Sequence, residues 1–320
     1  MRELVLNDAS IVAADQSIAI DWLEDIAKGM SSLFLKQVVQ NTLRTSRPLQ
    51  KIHYRGNCSL WEIILALRQQ GLVEEYRFLM RSIVKSPLEN ELKDDIKDRF
   101  LLCEGKTFPP PEGDPLVLCA ISDGIAVSFP SDLIWDSSLI KVDFYELKDD
   151  ESGDISKEET FEEIDNLAHS NHASPIYERH RQSFRGQITS YAELWNNRKL
   201  AFPNLLFGPD VEDHLKKLNT SKLRSIVGKL SNLNAAAAEW PNVGGSAPPW
   251  EARAKVVNES EALQNNTKLR ERRRFKSYDG TRQLFLWHTR FSDSGRIHLR
   301  FDPSSHEIEI GYIGQHLPLS

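Results

Sequence analysis

The stretch from Arg282 to Leu317 constrains the fold of this 320-residue chain more than any other part of it. It reads RQLFLWHTRF, SDSG, RIHLRFD, PSSH and EIEIGYIGQHL, so that two turn-rich tetrads separate three runs of alternating residues. Because side chains two residues apart share one face of a strand, this pattern predicts three antiparallel strands joined by short turns. The sequence therefore predicts a small sheet with one apolar face and one polar face.

The polar face of this predicted sheet is rich in arginine and histidine. Its members in the first two runs are Arg282, His288, Arg290, Arg296, His298 and Arg300, and the apolar members are Phe285, Trp287, Phe291, Ile297, Leu299 and Phe301. Guanidinium groups bind phosphate bidentately, and an imidazole can move a proton near neutral pH. The pattern therefore indicates a phosphate-binding surface, with a plain solvent-facing strand surface as the alternative.

Charge is distributed unevenly along the chain, although the net charge is only −6. Residues 1–165 carry 31 acidic and 18 basic side chains, whereas residues 166–320 carry 15 acidic and 22 basic ones. A basic half favours an anionic partner, most simply RNA or another nucleic acid. The alternative is that the acidic half masks the basic half.

Composition and cysteine content predict where in the cell the chain is found. Apolar residues make up 40% of it and no apolar run reaches 18 residues, so we expect no membrane span and no membrane partner. The three cysteines are widely spaced and odd in number, which disfavours both a disulfide framework and a zinc site built on cysteine. We therefore expect a cytoplasmic protein.

The N-terminal half is predicted to be a helix-rich α/β domain over 1–148. A strand at ELVLN precedes helical periodicity over about 16–43, 59–70, 72–84 and 88–104, and a further helix begins at Asp114. Buried strands are expected at IAVSFP and LIKVDFYEL. Strands separated by helices are typical of an α/β unit.

Four acidic residues of this half follow a strand or lie on a helix, namely Asp8, Glu62, Asp114 and Asp132, with Asp136 as a substitute for the last. Their order along the chain resembles that of the PIN-domain nucleases. The resemblance implies a carboxylate cluster that holds Mg²⁺ or Mn²⁺ and activates water on a phosphodiester. The alternative is an inactive domain, because acids at helix N-termini are also favoured by the helix dipole.

The acidic run KDDESGDISKEETFEEID, from Lys148 to Asp165, is typical of a solvated linker. A histidine- and arginine-rich stretch follows it. We therefore predict a connecting segment over 149–200 and a C-terminal α+β domain over 201–320, with a helix hairpin and a small antiparallel sheet.

Three segments of the C-terminal domain, LLFGPDVEDHLKKL, SKLRSIVGKLSNL and SGRIHLRFDPSSHEIEIGYIGQHL, resemble the RelE/ParE toxin superfamily over about 203–317. The ribonuclease branch of that superfamily implies RNA cleavage through the RNA's own 2′-hydroxyl without a metal cofactor. Arg296 then matches the arginine that binds the scissile phosphate, and His316 matches the general acid. About 30 residues, 240–270, are inserted between the helices and the sheet.

From the resemblance and the residue pattern together we predict a prokaryotic toxin or defence-type protein that binds and cleaves RNA, with an antitoxin or defence-complex protein as a possible partner. The base would be His298 or His288. The predicted backbone contacts are Arg290, Arg300, Arg273, Arg274 and Lys276. The alternatives are a metal-dependent nuclease in the N-terminal half and a binding module without chemistry.

Overall fold

A computed structural model describes residues 1–11, 15–55, 58–83, 99–103, 106–107, 114–149, 155–250 and 254–318. The chain is a mixed α/β protein that divides into two compact units, Met1–His180 and Arg181–Ser320. No helix among the described residues combines the length and the apolar character that crossing a bilayer requires. Each unit has its own sheet and its own hydrophobic core.

Unit 1 (Met1–His180) is built on a seven-stranded sheet of order β2-β1-β7-β9-β8-β5-β6. Its strands are β1 (Arg2–Leu6), β2 (Val39–Arg44), β5 (Arg99–Cys103), β6 (Lys106–Thr107), β7 (Ile125–Val127), β8 (Leu139–Asp149) and β9 (Ile155–Leu167). The first four strands in spatial order are parallel, and the rest pair antiparallel. A separate two-stranded ribbon joins β3 (His53–Arg55) to β4 (Cys58–Ser59). The parallel part confirms the expected α/β character of this half.

The helices of unit 1 cover both faces of this sheet. They are α1 (Gln16–Leu35), α2 (Leu60–Gln69), α3 (Val73–Ser82), α4 (Asp114–Ser122) and α5 (Ala173–Gln187), the last of which runs across the unit boundary. One apolar cluster joins β1 and β7 to α1 and α2, and a second joins α4 to β5, β8 and β9. The predicted strands at ELVLN, IAVSFP and LIKVDFYEL and the helix starting at Asp114 are thereby confirmed.

Two helix predictions in unit 1 were too long or misplaced. The helix expected over 16–43 ends at Leu35, Gln37 takes a positive φ of 59°, and Val39–Arg44 becomes a strand parallel to β1. β-branched Val38 and Val39 favour that strand over continued helix. The helix expected over 88–104 lies largely outside the described residues, and its end, Arg99–Cys103, is a strand paired with β8.

The segment predicted as a linker over 149–200 is instead structured, and the unit boundary falls at His180. Residues 155–167 form β9, a strand inside the sheet, while 150–154 lie outside the described residues. Asp165 is 6% exposed and forms ion pairs with Arg2 and Arg179, so its charge does not require solvent. Acidic composition misled the prediction because the cations that balance this carboxylate are distant in sequence.

Unit 2 (Arg181–Ser320) contains a five-stranded sheet of order β10-β16-β15-β14-β11. Its strands are β10 (Leu205–Phe207), β11 (Val257–Asn258), β14 (Trp287–Arg290), β15 (Gly295–Asp302) and β16 (Glu307–Gln315). β10 is parallel to β16, and the other neighbours are antiparallel. A hairpin of β12 (Arg274–Lys276) and β13 (Arg282–Leu284) stands beside it. The second and third predicted antiparallel strands are thereby confirmed, whereas the first, over 282–291, is divided into β13 and β14.

The first four helices of unit 2 contribute to the apolar cluster that contains one face of this sheet. The helices of this unit are α6 (Tyr191–Asn196), α7 (Arg198–Ala201), α8 (Val211–Lys216), α9 (Leu223–Val243), α10 (Glu261–Asn265) and α11 (Thr267–Glu271). Ile226 and Leu230 of α9 belong to the same buried cluster as Ile297 and Leu299 of β15. The predicted strand, helix pair and apolar strand face are therefore all present.

One residue of the sheet departs from the predicted alternation. Phe285 was expected on the same face as Trp287, but it lies in the break between β13 and β14 and packs against Phe275 of β12 at 6.0 Å. β13 pairs with β12 and does not continue along β15. The alternation of side-chain faces is therefore interrupted at residues 285–286. Phe285 therefore covers the face that the sequence predicted to be polar and open.

Close packing at Gly208 supplies a stability prediction. A Cβ at this position would lie 2.1 Å from the Lys276 carbonyl oxygen, which belongs to backbone and cannot rotate away. We expect Gly208→Ala to lower the free energy of unfolding by about 1–3 kcal/mol. Gly228, on the exposed side of α9 with no atom within 4 Å, is the matched control, and its change to alanine should raise stability by about 1 kcal/mol. Urea unfolding measures both, and equal effects at the two sites would contradict the packing argument.

Candidate active site

The basic face of β15 is largely covered rather than open. Arg296 and His298 share this face, as predicted, but they are only 5% and 1% exposed. The rings of Phe275 and Tyr312 lie 6.3 Å and 5.7 Å from the His298 ring. His298 therefore cannot touch a large ligand directly, which corrects its predicted role as a proton acceptor on RNA.

Three side chains with lone-pair donors meet under this cover: Glu259, His288 and His298. One ligand atom from each of the three lies within 4.8 Å of the other two, and among the described residues this is the only such group of three or more histidine, cysteine or acidic side chains. His288 and His298 are direct partners on β14 and β15, with ring centroids 5.3 Å apart. Backbone pairing thus fixes the two imidazoles side by side.

Glu259 was not predicted from the sequence. It follows β11, and its amide donates to the Leu286 carbonyl at 2.9 Å, which places the carboxylate beside His288. Its Oε1 lies 3.8 Å from Nδ1 of His288 and 3.0 Å from Nε of Arg273. In the sequence Glu259 is only one of two acidic residues, with Glu261, that precede a basic stretch, and a pattern confined to neighbouring residues could not assign its partners.

Arg273 was predicted to contact nucleic acid, but it is completely buried. Besides Glu259, its guanidinium donates from Nη1 to the carbonyls of Leu269 and Pro318 at 3.1 and 3.2 Å. Nη2 is buried without a hydrogen-bond partner. Arg273 therefore holds Glu259 in place and is not accessible to a backbone phosphate.

Arg296 is held by the turn between β14 and β15. Its Nη1 donates to the carbonyls of Ser292, Asp293 and Gly295 at 2.9–3.3 Å, and its Nε is buried without a partner. It stands directly opposite Arg290 in the strand register. Burial, and next the Arg290 charge, lower the pKa of Arg296. Two cations held this close favour an anion between or beside them.

An open groove of about 280 Å³ borders this cluster. It is lined by Lys229, Lys255, Val257, His288, Thr289 and Arg290. Three of these six side chains are cationic, and His288 is the group that connects the groove to the buried cluster. The groove is therefore suited to a phosphate group.

The histidines near the groove have lowered pKa values, which favours their uncharged form. Burial, followed by the His288 charge, lowers the pKa of His298 to about 3. Burial also lowers the pKa of His288, against the opposing pull of Glu259. Exposed His316, whose amide donates to Ser294, has its pKa lowered by partial burial and next by the Arg296 charge. Neutral imidazoles in a cationic surrounding can accept protons or donate lone pairs.

The remaining predicted backbone contacts are spread over the unit. Arg300 pairs with buried Glu309 at 2.6 Å, Arg274 pairs with Glu271 at 2.8 Å, and Lys276 pairs with Asp210 at 3.3 Å. Arg274 and Lys276 keep partly exposed side chains, whereas the Arg300 guanidinium also donates to Ser277. None of the three lines the groove.

The acidic residues of unit 1 do not form a group of that kind among the described residues. Asp8 is buried, accepts from the Ser46 hydroxyl and lies 3.6 Å from Nε of Arg47. Glu62 closes a capping box with Ser59 at the start of α2, and the Asp132 side chain accepts from the amide of Ile134.

The other two acids of unit 1 also have separate positions. Asp114 is the first residue of α4, and the substitute Asp136 pairs with His169 at 2.7 Å. Among the described residues these five carboxylates do not gather into a ligand group, so the structure gives no support to the predicted Mg²⁺ or Mn²⁺ site.

No protein-family model matches the chain, and neither the curated proteins nor the solved structures contain a match to it. The residues around Glu259, His288 and Arg290 are therefore the basis for any functional conclusion.

Proposed function

We propose that unit 2 binds RNA in the groove beside His288 and cleaves it there. The observation that carries this proposal is the lining of the groove, where Lys229, Lys255 and Arg290 surround an imidazole. Cationic side chains around a cavity bind phosphate, and a neutral imidazole among them supplies acid–base chemistry at the same place. The order of elements, with a helix pair before three antiparallel strands, supports a RelE-like domain.

The chemistry requires a base, a cation that stabilises charge on the phosphoryl group, and an acid. His288 would take the proton of the 2′-hydroxyl, whose oxygen then attacks the adjacent phosphorus. Arg290, with Arg296 behind it, would stabilise the added charge on the phosphoryl oxygens. His316 is exposed and close enough to Arg296 and Arg290 for their charges to act on it, and its protonated form would give a proton to the departing 5′-oxygen. The products are a 2′,3′-cyclic phosphate and a free 5′-hydroxyl.

His298 has a different role in this proposal. It is buried, its Nδ1 lies 3.2 Å from the Phe285 carbonyl, and its ring lies 5.3 Å from the ring of His288, so its role would be to position His288. A ribonuclease of this kind fits the predicted prokaryotic toxin or defence protein in the cytoplasm, and an antitoxin or defence-complex partner would have to cover the same groove.

The groove predicts specific losses of RNA affinity. Changing Arg290 or Lys229 to alanine should weaken binding to all RNA sequences alike and reduce the slope of log K against log salt by about one for each phosphate contact removed. Lys216 is the matched control, because its side chain is exposed on α8 and pairs with Glu212 and Asp213. Fluorescence anisotropy across a salt series measures the effect. An unchanged salt slope in both groove variants would contradict the proposal.

The direct test is cleavage of matched RNA and DNA oligonucleotides by the full chain in EDTA. RNA should be cut to products ending in a cyclic phosphate, and DNA should remain intact because it lacks the attacking hydroxyl. Cleavage of both substrates that EDTA abolishes would instead point to a metal-dependent nuclease. Binding of RNA without cleavage would reduce unit 2 to a binding module.

A further inference from the structure

We propose that Glu259, His288 and His298 bind a divalent transition-metal ion, with Zn²⁺ as the best match. One carboxylate and two imidazoles form a ligand set that zinc accepts, and three protein ligands leave a fourth position open. Mg²⁺ is a poor match because it prefers oxygen ligands. The site was not predicted from the sequence, because Glu259 lies about 30 residues before His288 and shares no motif with it.

The distances support a site that closes around an ion. The three ligand atoms lie within 4.8 Å of one another. In a tetrahedral zinc site with bonds near 2.1 Å the ligand atoms are roughly 3.4 Å apart, so side-chain rotations that bring them about an ångström closer are enough. His288 and His298 are directly paired across β14 and β15, so the backbone already places both rings on one side of the sheet.

The contacts behind the ligands are of the kind that orient metal-binding side chains. Nδ1 of His298 faces the Phe285 carbonyl at 3.2 Å and must carry its hydrogen there, which leaves the Nε2 lone pair for a metal. Arg273 engages Oε1 of Glu259 at 3.0 Å, which leaves further lone pairs on the two carboxylate oxygens. Nδ1 of His288 is buried without a hydrogen-bond partner. All three ligands thus have an unused electron pair in the same small volume.

The surrounding positive charges lower the affinity of this site for a metal ion. Arg273 neutralises much of the charge of Glu259, and Arg296 and Arg290 add positive charge nearby, which opposes a divalent cation. We therefore expect reversible binding that a chelator removes rather than a permanently held ion.

Metal binding has a consequence that rests on the proposed function. A neutral imidazole has a single lone pair, so an ion bound at the buried Nδ1 of His288 keeps the hydrogen on Nε2 and leaves no nitrogen able to accept the proton of the 2′-hydroxyl. Zn²⁺ should therefore inhibit RNA cleavage, and excess EDTA should restore it. If the chain does not cleave RNA, this consequence fails while the metal site itself remains testable.

The site is tested with the full chain and ZnCl₂ by calorimetric titration and by thermal unfolding with zinc or EDTA. The variants are His288→Gln and His214→Gln, both of which replace a half-buried histidine whose Nδ1 lacks a hydrogen-bond partner. We expect zinc to raise the Tm of the wild type and of His214→Gln, and to bind His288→Gln at least about tenfold more weakly. Equal binding by all three chains would overturn the proposal.

A second measurement keeps the test decisive if His288→Gln is destabilised. Co²⁺ added to the wild type should produce visible d–d absorption that zinc displaces and that is absent in Glu259→Gln. His169 of unit 1, which contacts Asp25 and Asp136, offers another place for a metal. A cobalt spectrum that persists in Glu259→Gln and disappears in His169→Gln would refute the site in unit 2.

Discussion

Replacing Arg273 by alanine should lower the free energy of unfolding of unit 2 by about 3–5 kcal/mol. The guanidinium is completely buried, and it is bonded to the Glu259 carboxylate and to two backbone carbonyls. Its removal would leave a carboxylate that is 8% exposed without its cation. A buried charge that loses its partner costs far more than an exposed pair contributes, because water cannot replace the lost contact.

The neighbouring arginine supplies the control for this prediction. Arg274 pairs with Glu271 at 2.8 Å on the surface, where both side chains are substantially exposed. Exposed pairs contribute about 0–1 kcal/mol, so Arg274→Ala should leave the urea midpoint almost unchanged. Adjacent residues of one type would thus differ severalfold in effect. Similar losses in the two variants would show that Arg273 is not the buried anchor of this cluster.

His288→Gln should slow RNA cleavage by about 10²–10⁴-fold while RNA affinity is retained. Glutamine keeps the approximate length and polarity of histidine but cannot accept a proton at neutral pH. His288 lines the groove together with Lys229, Lys255 and Arg290, and these three cations remain in the variant. Since cationic contacts carry most of the affinity for RNA, binding and cleavage should separate.

Single-turnover cleavage at saturating protein, with anisotropy for affinity, measures that separation. His214→Gln is the control, because the His214 ring contacts Phe275 and Tyr312 and does not line the groove. A wild-type cleavage rate in His288→Gln would remove this histidine from the chemistry. A parallel fall in affinity and rate would indicate that the substitution disturbs the groove as a whole.

The strands of unit 2 were predictable because their signal is local. Alternation in RIHLRFD places Ile297 and Leu299 on the buried face, and a period of two residues leaves little choice once one face must be apolar. The helix pair before the sheet was predictable for the same reason, since its apolar residues recur at three- and four-residue spacing. The candidate groove residue His288 and its partner His298 could therefore be identified from the sequence.

The environment of those residues could not be read from the same signal. Whether a polar face meets water depends on what packs over it, and here the hairpin of β12 and β13 brings Phe275 and Phe285 onto it. Glu259 joins His288 through a contact between elements distant in the chain. A similar long-range pairing, of Asp165 with Arg2, turned a predicted linker into a strand of the unit 1 sheet.

The topology of the unit 2 sheet has a consequence for biosynthesis. β10 pairs with β16, which lies about 100 residues later in the chain and leaves the ribosome correspondingly later. β15 also pairs with β16. Contacts between such distant segments cannot form until the later segment has been translated. Under the proposed function, a nascent chain would carry an unassembled groove throughout most of its own translation, and the translating ribosome would be spared attack by its product.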